Sequence, residues 1–364
     1  MPAPTDDVLS EFLIQGRLVE MRQLTGGNIN ESWMTAWRDG SAIRRYVHQR
    51  INTTVFQAPE LLIRNHLRIW EAACKSPIQP PLAIPKLVAL KAGGYLLITA
   101  SGAWRTTEFI ERSTAIQKCE NPAQALQAAQ AFAGFQLILN TIPTSEIQSA
   151  IPHFQNVPRR LDALAAAVEA NHAGRLNECR QETTLLLAQR QLAGTFDQAV
   201  TQRTVPERVV HADLKINNVL FDLETGHSIA VIDLDACMPG TVLYDFGDFV
   251  RSAGVPCEED ETDSAKIRLD LDLFTALAEG YIGRLKAALT AGECALFHLA
   301  PQVLALSLAS RFLTDHLNGD IYFRTKFPGH NLVRARTQIQ ILASLRKVER
   351  EMLQIVGKIS GLAV

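Results

Sequence analysis

The sequence predicts an α+β fold of two lobes, a small β-rich lobe followed by a larger and mostly helical lobe. At 364 residues the chain is longer than one ordinary compact core, since domains usually hold about 150 residues. Residues 1–111 combine short β-type runs with glycine turns, whereas alanine-, leucine- and glutamine-rich segments of helical periodicity dominate afterwards. We therefore place an N-terminal lobe at residues 1–111 and a C-terminal lobe at residues 112–364, with a crossing near residues 109–113.

The N-terminal lobe is predicted to contain a short helix at residues 7–15 ahead of its strands. Turn signals separate the first strands: the run from Leu24 to Asn30 contains two glycines, and Asp39-Gly40 is a two-residue hairpin signal. Pro59 opens a helical segment, and prolines between residues 77 and 85 mark a connector. The predicted strands lie around residue 24 and at residues 31–37, 42–49, 86–90, 94–98 and 105–111.

Helices dominate the C-terminal lobe, and one strand-like island interrupts them. The predicted helices cover residues 122–139, 159–170, 183–200, 265–288, 292–317 and 332–356. The island at residues 205–235 holds two apolar runs on either side of a glycine-containing turn. The most apolar stretch, residues 299–313, is interrupted by Gln302 and Arg311, and we expect it to be too short and too polar to span a bilayer.

Bulk composition argues against several classes of partner. The chain carries 36 basic and 38 acidic residues, a formal net charge of -2, without the basic stripe of a nucleic-acid binder. Its six cysteines form no C-x-x-C pair, so neither a zinc site nor a redox motif is predicted. The N-terminus lacks the features of a signal peptide. We expect a cytoplasmic protein with small-molecule partners, no nucleic acid and no membrane, either monomeric or dimeric.

The island places oxygen-bearing side chains at one end of a predicted hairpin. If the hairpin turns between Thr225 and Gly226, Asn218 lies directly opposite Asp233 at the open end. Asp213 comes just before, in a polar loop. Mg²⁺ prefers oxygen ligands and needs only one or two protein carboxylates beside phosphates, so these side chains predict a magnesium and acid–base site. The alternative is that they only satisfy the turns of a buried hairpin.

The pattern His211-x-Asp213-x-x-x-x-Asn218, followed by Ile232-Asp233, resembles the catalytic and metal-binding loops of the protein-kinase-like fold. Its small-molecule branch, the aminoglycoside phosphotransferase and choline kinase families, is the more similar. The resemblance implies ATP as co-substrate and Mg²⁺ as cofactor. It implies Asp213 as the catalytic base, Asn218 and Asp233 as Mg²⁺ ligands on the ATP phosphates, and His211 as a brace for the loop.

Three further residues near this motif are candidates. Lys215 lies within the same loop, where a cation neutralises charge on the transferring phosphoryl group, or else faces solvent. Asp235 follows Asp233 at strand spacing, so both share a face and Asp235 contacts substrate or metal. The segment at residues 240–248 resembles the one in which related kinases carry an aspartate that supports the catalytic loop, which implies Asp245.

The nucleotide side carries weaker signals. The turn containing Gly26, Gly27 and Asn28 is expected to cover the ATP phosphates with backbone N–H groups, although such turns are usually only hairpins. The third strand has no lysine where protein kinases carry one, so Gln49, or one of the arginines at positions 45 and 50, must substitute. Phe109 to Glu111 form the expected hinge, whose backbone groups would meet the adenine.

Four stretches resemble the N-acetylhexosamine 1-kinases, and the last of them is the most distinctive. They are residues 52–56, 102–105, 232–240 and 311–323, the last continuing through residues 330–334. The resemblance implies that ATP and N-acetylglucosamine or N-acetylgalactosamine give the sugar 1-phosphate and ADP.

Three residues of the C-terminal block are candidate sugar ligands. Arg311 lies in an apolar segment where an unpaired charge is costly. Asp315 is four residues on and shares its helix face, so the two form either a sugar site or an intrahelical salt bridge. Tyr322 supplies a wall for the sugar or packs in the core.

Other acceptors and one non-enzymatic function stay as alternatives. A choline or ethanolamine kinase needs an aromatic cage, and the C-terminal lobe has no clustered Trp/Tyr motif. An aminoglycoside site needs acidity, which the run at residues 258–263 offers, although a solvated helix entry explains that run as well. Homoserine is a further possible acceptor. A nucleotide-binding pseudokinase is favoured only by the missing strand lysine.

Overall fold

The computed structural model describes residues 3–24 and 29–361 and confirms the predicted α+β arrangement. Its N-terminal part is an antiparallel five-stranded sheet in the order β1-β2-β3-β5-β4. The strands are β1 (Arg17–Leu24), β2 (Glu31–Asp39), β3 (Ala42–Ile51), β4 (Leu97–Thr99) and β5 (Gly102–Glu108). Two helices accompany the sheet, α1 (Asp6–Leu9) and α2 (Pro59–Cys74).

Turn chemistry and alternation account for the centre of this sheet. Strands β2 and β3 meet at the predicted Asp39-Gly40 turn, where Gly40 has a φ of 59°, a left-handed conformation that favours glycine. Trp33 and Trp104 pack at 5.6 Å between ring centroids on the buried face of the sheet. The expected strands at residues 31–37 and 42–49 and the helix opened by Pro59 are therefore confirmed.

Four elements of the N-terminal lobe differ from prediction. The helix expected at residues 7–15 ends at Leu9, because the following residues run extended: Phe12 bridges to Leu90, and the Leu13 N–H donates to the Ala89 carbonyl. Residues 86–90 form only isolated bridges instead of a strand. The last strand ends at residue 108, not 111. The strand expected at residues 94–98 covers only Leu97–Thr99, because residues 91–95 form a turn. Residues 86–90 are extended as expected, but their pairing is too short for a regular strand.

The chain leaves the sheet after Glu108 and enters a second sheet at β6 (Ser113–Ala115), which pairs with β8 (Val219–Asp222) and through it with β9 (Ser228–Val231). The proposed boundary at residue 111 falls within this crossing. The proline connector is fastened to the same sheet, since the Ala83 N–H donates to the Ile229 carbonyl at 2.9 Å. A short pair, β7 (Arg208–Val210) with β10 (Met238–Gly240), flanks the β8–β9 hairpin in sequence.

The remaining residues form a helical lobe. Its helices are α3 (Pro122–Leu139), α4 (Val157–Ala170), α5 (Arg180–Leu187), α6 (Arg190–Thr201), α7 (Val242–Ala253), α8 (Leu271–Ala278), α9 (Ala291–Leu296), α10 (Ala300–Asn318), α11 (His330–Lys347) and α12 (Glu349–Ser360). Several predicted helices are broken in two, because periodicity continues across a break when both halves face one core. Residues 183–200 belong to α5 and α6, and residues 332–356 to α11 and α12. Residues 265–270 are not helical, and α7 had not been predicted.

Helix α10 occupies the centre of this lobe. The helical stretch Ala291–Asn318 is apolar and long enough for a membrane span by length and composition, which corrects the expectation that its core was too short and too polar. Of its apolar window, 67% is buried inside the fold, and the core helix of a soluble protein passes the same test. Gly247 of α7 crosses it so closely that a Cβ would lie 2.5 Å from the Ala300 carbonyl oxygen.

Candidate active site

The β8–β9 hairpin brings the motif residues together, although its register differs from prediction. Val219 faces Val231, and the Ile232 N–H donates to the Asn218 carbonyl at 2.9 Å. Asn218 therefore lies beside Ile232 and not opposite Asp233. The prediction was wrong because the turn is centred one residue earlier, between Glu224 and Thr225, as the bond from the Asp222 N–H to the His227 carbonyl shows. This displaces the pairing by two residues at the turn, and the bulge between Leu220 and Phe221 recovers one of them, so an error of one residue remains at the open end.

Asp213 lies half-buried in the loop that follows β7. Lys215 places its Nζ 2.6 Å from Asp213 Oδ1, and the Asn218 Nδ2 donates to the Asp213 carbonyl at 2.9 Å and to its Oδ2 at 3.2 Å. Burial acts to raise the pKa of Asp213, but Lys215, His211 and Asn218 together hold it below its usual value. Asp213 is thus ionised and aimed by two neighbours, as a proton acceptor requires.

His211 braces this loop from beneath. Its Nε2–H donates to the Ile232 carbonyl at 3.1 Å, which leaves Nδ1 to accept the Asp213 N–H at 3.3 Å. Phe132 and Phe135 pack edge-on against the ring, at 5.7 and 5.6 Å between centroids. Burial lowers the pKa of His211, so the ring is neutral and fixed in this tautomer. It joins the Asp213 loop to the end of β9 rather than facing the cleft.

Asp245, in the first turn of α7, holds the same loop from the other side. Its Oδ2 accepts the His211 N–H at 3.0 Å and its Oδ1 accepts the Ala212 N–H at 2.8 Å. Ala212 has a φ of 66°, a strained conformation that persists only where surrounding contacts enforce it. Burial raises the pKa of Asp245 to about 8, while the two amide bonds act in the opposite direction. These contacts match the support expected of Asp245.

The oxygens expected to bind Mg²⁺ have no partner in the part of the protein that the structure describes. Within residues 3–24 and 29–361, Asp233 makes no hydrogen bond or ion pair, and Asn218 uses only its NH₂ group, which leaves Oδ1 free. Asp233 has a φ of 60°. Burial away from water, and then the negative charges of Asp235 and Asp213, raise its pKa to about 7. A divalent cation would relieve this crowding of carboxylates, so the donor set fits Mg²⁺.

No set of three or more His, Cys, Asp or Glu side chains in the described part of the chain has metal-binding geometry. A metal here would depend on ligands from a bound nucleotide, which is how Mg²⁺ usually binds in kinases.

Asp235 is placed differently from its prediction. Residues 234–236 form a 3-10 turn and not a strand, so Asp235 does not share a face with Asp233. Its carboxylate is 4% exposed and forms a two-pronged ion pair with Arg105 of β5, at 2.5 and 2.8 Å. The Nδ2 of Asn30 donates to it at 2.7 Å. Three hydrogen bonds use most of the acceptor sites of the Asp235 carboxylate, and its expected contact with metal or sugar stays a prediction.

The candidates for the missing lysine are also engaged. Gln49 accepts the Arg105 Nε–H at 2.9 Å and donates to Ser32 Oγ at 3.1 Å, so it supports Arg105 instead of facing a nucleotide. Arg50 pairs with Glu31 at 3.5 Å, and Arg45 pairs with Glu111 at 2.6 Å. Arg105, which sequence reasoning missed, is the buried cation of this region. Arg105 stands in residues 102–105, one of the four stretches that carry the family resemblance, but nothing in that stretch indicates its distant partner.

The expected hinge lies between β5 and β6. The Phe109 N–H donates to the Arg45 carbonyl at 3.0 Å, and the Ile110 carbonyl accepts from Ser113 Oγ at 2.6 Å. Among the described residues this leaves the Phe109 carbonyl and the Glu111 backbone groups for a base. Gly26, Gly27 and Asn28 lie outside the described residues.

Asp315 organises the loop after α10 and does not pair with Arg311. Its Oδ1 accepts the N–H groups of Ile321 and Tyr322 at 3.0 and 2.8 Å. Its Oδ2 accepts the Phe323 N–H at 3.0 Å and Asn331 Nδ2 at 2.8 Å. Four hydrogen bonds fill a carboxylate, and the residue is 3% exposed. The salt bridge with Arg311 is therefore not formed, and Asp315 holds the loop in place. Its role as a sugar ligand stays a prediction.

Arg311 and Tyr322 meet on the outer side of that loop. The Arg311 Cζ lies 5.8 Å from the Tyr322 ring centre and 5.2 Å from that of Phe323, within cation–π range. Tyr322 is 65% exposed, so it does not belong to the core. Arg311 forms no ion pair with any residue that the structure describes.

A second guanidinium, missed from the sequence, lies near this pair. Arg160 of α4 donates to the Phe154 carbonyl at 3.1 Å, and its buried Nε has no partner among the described atoms. Burial first, and then the charge of Arg311, lower its pKa. Gln155 approaches Gly240, shortly after Asp233, and its buried Oε1 is likewise unpartnered. Arg311 and Arg160 are thus two neighbouring cations, and neither forms an ion pair with a carboxylate of the described residues.

The acidic run considered for an aminoglycoside site is neutralised within the fold. Residues 258–263 are irregular and not a helix entry, and each acidic side chain has a basic neighbour. The pairs are Glu258 with Lys118, Glu259 with Arg334, Asp260 with Lys326 and His330, and Glu261 and Asp263 with Lys266.

A profile of the phosphotransferase enzyme family matches residues 20–279, more than half of the chain. The chain belongs to that family. Phosphate transfer to a small molecule is the activity that this membership supports, and it agrees with the oxygen-rich loop that ends in Asp233. The finer acceptor assignment is taken up below.

Solved structures show that this phosphotransferase has the kinase-like fold. An aminoglycoside phosphotransferase from Alicyclobacillus acidocaldarius is 16% identical over 96% of this chain and 98% of that chain, with a TM-score of 0.60. Choline kinase from Cryptosporidium parvum is 11% identical over 95% and 94%, with a TM-score of 0.56. Spectinomycin phosphotransferase, in complex with ADP and spectinomycin, is 12% identical over 95% and 94%, with a TM-score of 0.51.

Proposed function

We propose that this phosphotransferase is an ATP- and Mg²⁺-dependent N-acetylhexosamine 1-kinase, which converts N-acetylglucosamine or N-acetylgalactosamine to the sugar 1-phosphate. The observation that carries the choice of acceptor is the cluster of Arg311, Arg160 and Tyr322, where two guanidiniums have no carboxylate partner among the described residues. We propose this cluster as the wall against which the acceptor binds. A neutral polyhydroxyl acceptor with an amide group suits such donors, because guanidinium N–H groups bind hydroxyl and carbonyl oxygens.

The same wall disfavours the cationic acceptors. Aminoglycosides, choline and ethanolamine are positively charged, and two fixed cations repel them by about 1 kcal/mol or more each at partly screened range. The acidic run at residues 258–263, which would compensate, is already paired. Tyr322 and Phe323 do not build a cage for a quaternary ammonium, since Arg311 already lies over both rings.

The contacts of the loop residues support the roles that we propose for them. Asp213 accepts the proton of the attacking hydroxyl, and an anomeric hydroxyl is more acidic than an ordinary alcohol, so a carboxylate of low pKa suffices. Lys215, 2.6 Å from Asp213, brings positive charge to the transferred group. Asn218 Oδ1 and Asp233 are the protein ligands for Mg²⁺. When bound, Mg²⁺ neutralises charge on the phosphates of ATP.

The nucleotide would bind between the lobes. We assign the turn containing Gly26, Gly27 and Asn28 to the phosphates, and the backbone at Phe109 and Glu111 to the adenine. In this proposal catalysis rests on positioning and charge neutralisation without a phosphoenzyme.

The decisive experiment is a coupled ADP-release assay with Mg·ATP. The acceptors are N-acetylglucosamine, N-acetylgalactosamine, glucose, galactose, choline, ethanolamine, homoserine and kanamycin. Asp213→Asn keeps the shape of the side chain and removes its basicity, and we expect kcat on the N-acetylhexosamines to fall by about 10³-fold. Asp162→Asn, at an exposed residue paired with Arg190, is the control and should match the parent.

The outcomes separate the alternatives. Turnover on another acceptor alone would retain the kinase and reject the sugar. ATP binding without turnover on any acceptor would favour the pseudokinase. Equal turnover by Asp213→Asn and the parent would reject Asp213 as the base.

A further inference from the structure

The Arg105–Asp235 ion pair joins the two lobes across the cleft. Arg105 belongs to β5 of the N-terminal sheet, whereas Asp235 lies in the 3-10 turn Leu234–Ala236 that follows β9. Both side chains are almost fully buried, at 3% and 4% exposure. The planar guanidinium meets both carboxylate oxygens, at 2.5 and 2.8 Å, the fork geometry that fixes direction as well as distance.

Polar neighbours lock both partners in place. Gln49 holds the Arg105 Nε–H at 2.9 Å and is itself held by Ser32. On the other side, Asn30 donates to Asp235 at 2.7 Å and accepts the Asn52 N–H at 3.0 Å. Strands β2, β3 and β5 therefore all act on one carboxylate of the C-terminal lobe.

The energetics of such a pair favour a geometric purpose over a stabilising one. Removing two charges from water costs several kcal/mol per ion, and replacing a buried pair by apolar residues is often neutral or stabilising. Asp235 is two residues from Asp233, so whatever fixes Asp235 against the sheet also fixes the metal ligand against it. Arg105 lies within electrostatic range of Asp233, and its charge lowers the pKa of that carboxyl against the effect of burial.

We infer that Arg105 is a positioning residue which, through Asp235, sets the N-terminal sheet over Asp233. The inference rests on the proposed kinase function, because it assigns the pair to the binding of Mg·ATP. A nucleotide spans both lobes and depends on their relative position. The proposed acceptor wall of Arg311 and Tyr322 belongs to the C-terminal lobe alone. Binding of the acceptor therefore does not depend on the relative position of the lobes.

The test compares Arg105→Met and Arg105→Lys with the parent enzyme. For Arg105→Met we expect the KM for ATP to rise by about tenfold or more and kcat to fall by up to about 10²-fold, as misplacement of reacting groups does. The dissociation constant of N-acetylglucosamine without nucleotide should stay within about twofold. Arg105→Lys keeps the positive charge but cannot bond both oxygens of Asp235 as the planar guanidinium does. It should therefore recover only part of the loss in KM for ATP and in kcat.

Two further variants separate positioning from folding. Arg22→Met removes an exposed arginine from β1 of the same sheet and should leave all constants within about twofold. The double variant Arg105→Met/Asp235→Leu replaces the buried pair by apolar side chains and should recover the parent melting temperature but not the ATP constants. Recovery of the parent KM for ATP in that double variant would overturn the inference, as would a parental KM in Arg105→Met.

A failed sugar assignment gives a different result. If the parent enzyme turns over no sugar, binding of a non-hydrolysable Mg·ATP analogue still compares Arg105→Met with the parent. A loss of about tenfold in that affinity supports the inference without the sugar, and unchanged affinity rejects it.

Discussion

Replacing Asp315 by asparagine tests whether this carboxylate is a scaffold or a ligand. The two oxygens of Asp315 accept four hydrogen bonds in total, two on each oxygen. Three of the four donors are backbone N–H groups of the loop that carries Tyr322, and the fourth is the Asn331 side chain. Asparagine keeps one oxygen and places an NH₂ group against two donors. Hydrogen bonds to a charged group contribute about 1.5–3 kcal/mol each, so losing two costs roughly 3–6 kcal/mol where the loop cannot relax.

The loss should appear first in the loop and then in acceptor binding. The amides of Ile321, Tyr322 and Phe323 donate to Asp315, so their hydrogen exchange should accelerate by about 10² or more. The KM for the acceptor should rise by about tenfold, since Tyr322 and its stacking on Arg311 lose their anchor. The KM for ATP should stay within about twofold, because the loop belongs to the acceptor side.

Three measurements on one protein check this reasoning. They are urea unfolding, hydrogen exchange of the loop amides, and steady-state kinetics with either substrate varied. Asp272→Asn, an exposed residue in the first turn of α8, is the control and should cost less than about 0.5 kcal/mol. A raised acceptor KM with parental exchange and stability would refute the scaffold role and show direct contact between Asp315 and the sugar.

The remaining predictions concern pH and charge. His48 lies between Thr35 and Thr106, each 2.8 Å away, and burial lowers its pKa to about 4. In the unfolded chain the imidazole of His48 has a pKa near 6.5. Neutral His48 therefore contributes fully to the free energy of unfolding above that pH, and the contribution is lost as pH falls. The loss is about 1.3 kcal/mol between about pH 7.5 and 5.5. Urea unfolding should show that His48→Gln loses less free energy of unfolding over this pH range than the parent protein does. An equal loss would contradict the lowered pKa of His48. Arg160→Met should raise kcat/KM for glucosamine relative to N-acetylglucosamine by about fivefold, since one partly screened charge contributes about 1 kcal/mol. A constant ratio would place Arg160 away from the acceptor.

Local patterns were sufficient for much of the fold. The Asp39-Gly40 hairpin, the Pro122–Leu139 helix and the two strands around Gly226 were all predicted from turn residues and periodicity. Boundaries were less well predicted where packing decides them. The helix at Asp6–Leu9 ends early because the following residues pair with residues 89–91, and the break between α11 and α12 leaves no mark in the periodicity.

In the candidate site, the sequence identified several of the residues but not all of their interaction partners. Asp213, Lys215 and Asn218 were identified as a group, and the structure brings them within hydrogen-bonding distance. The supporting contacts of Asp245 were expected as well. Arg105 was missed because nothing local to it indicates that its partner lies 130 positions further along the chain.

The sequence by itself determined the α+β class, the position of the β8–β9 hairpin and the set of oxygen-bearing side chains around it. These depend on periodicity and on short motifs, which act over a few residues. Only the tertiary structure decided the register of that hairpin, the pairing of Asp235 with Arg105, and the use of Asp315 to hold a loop. A carboxylate has a fixed number of acceptor sites, and long-range packing determines which donors reach them. Residue type therefore indicates which side chains could bind a ligand. The folded chain determines which of these side chains already bond to donors of the protein itself.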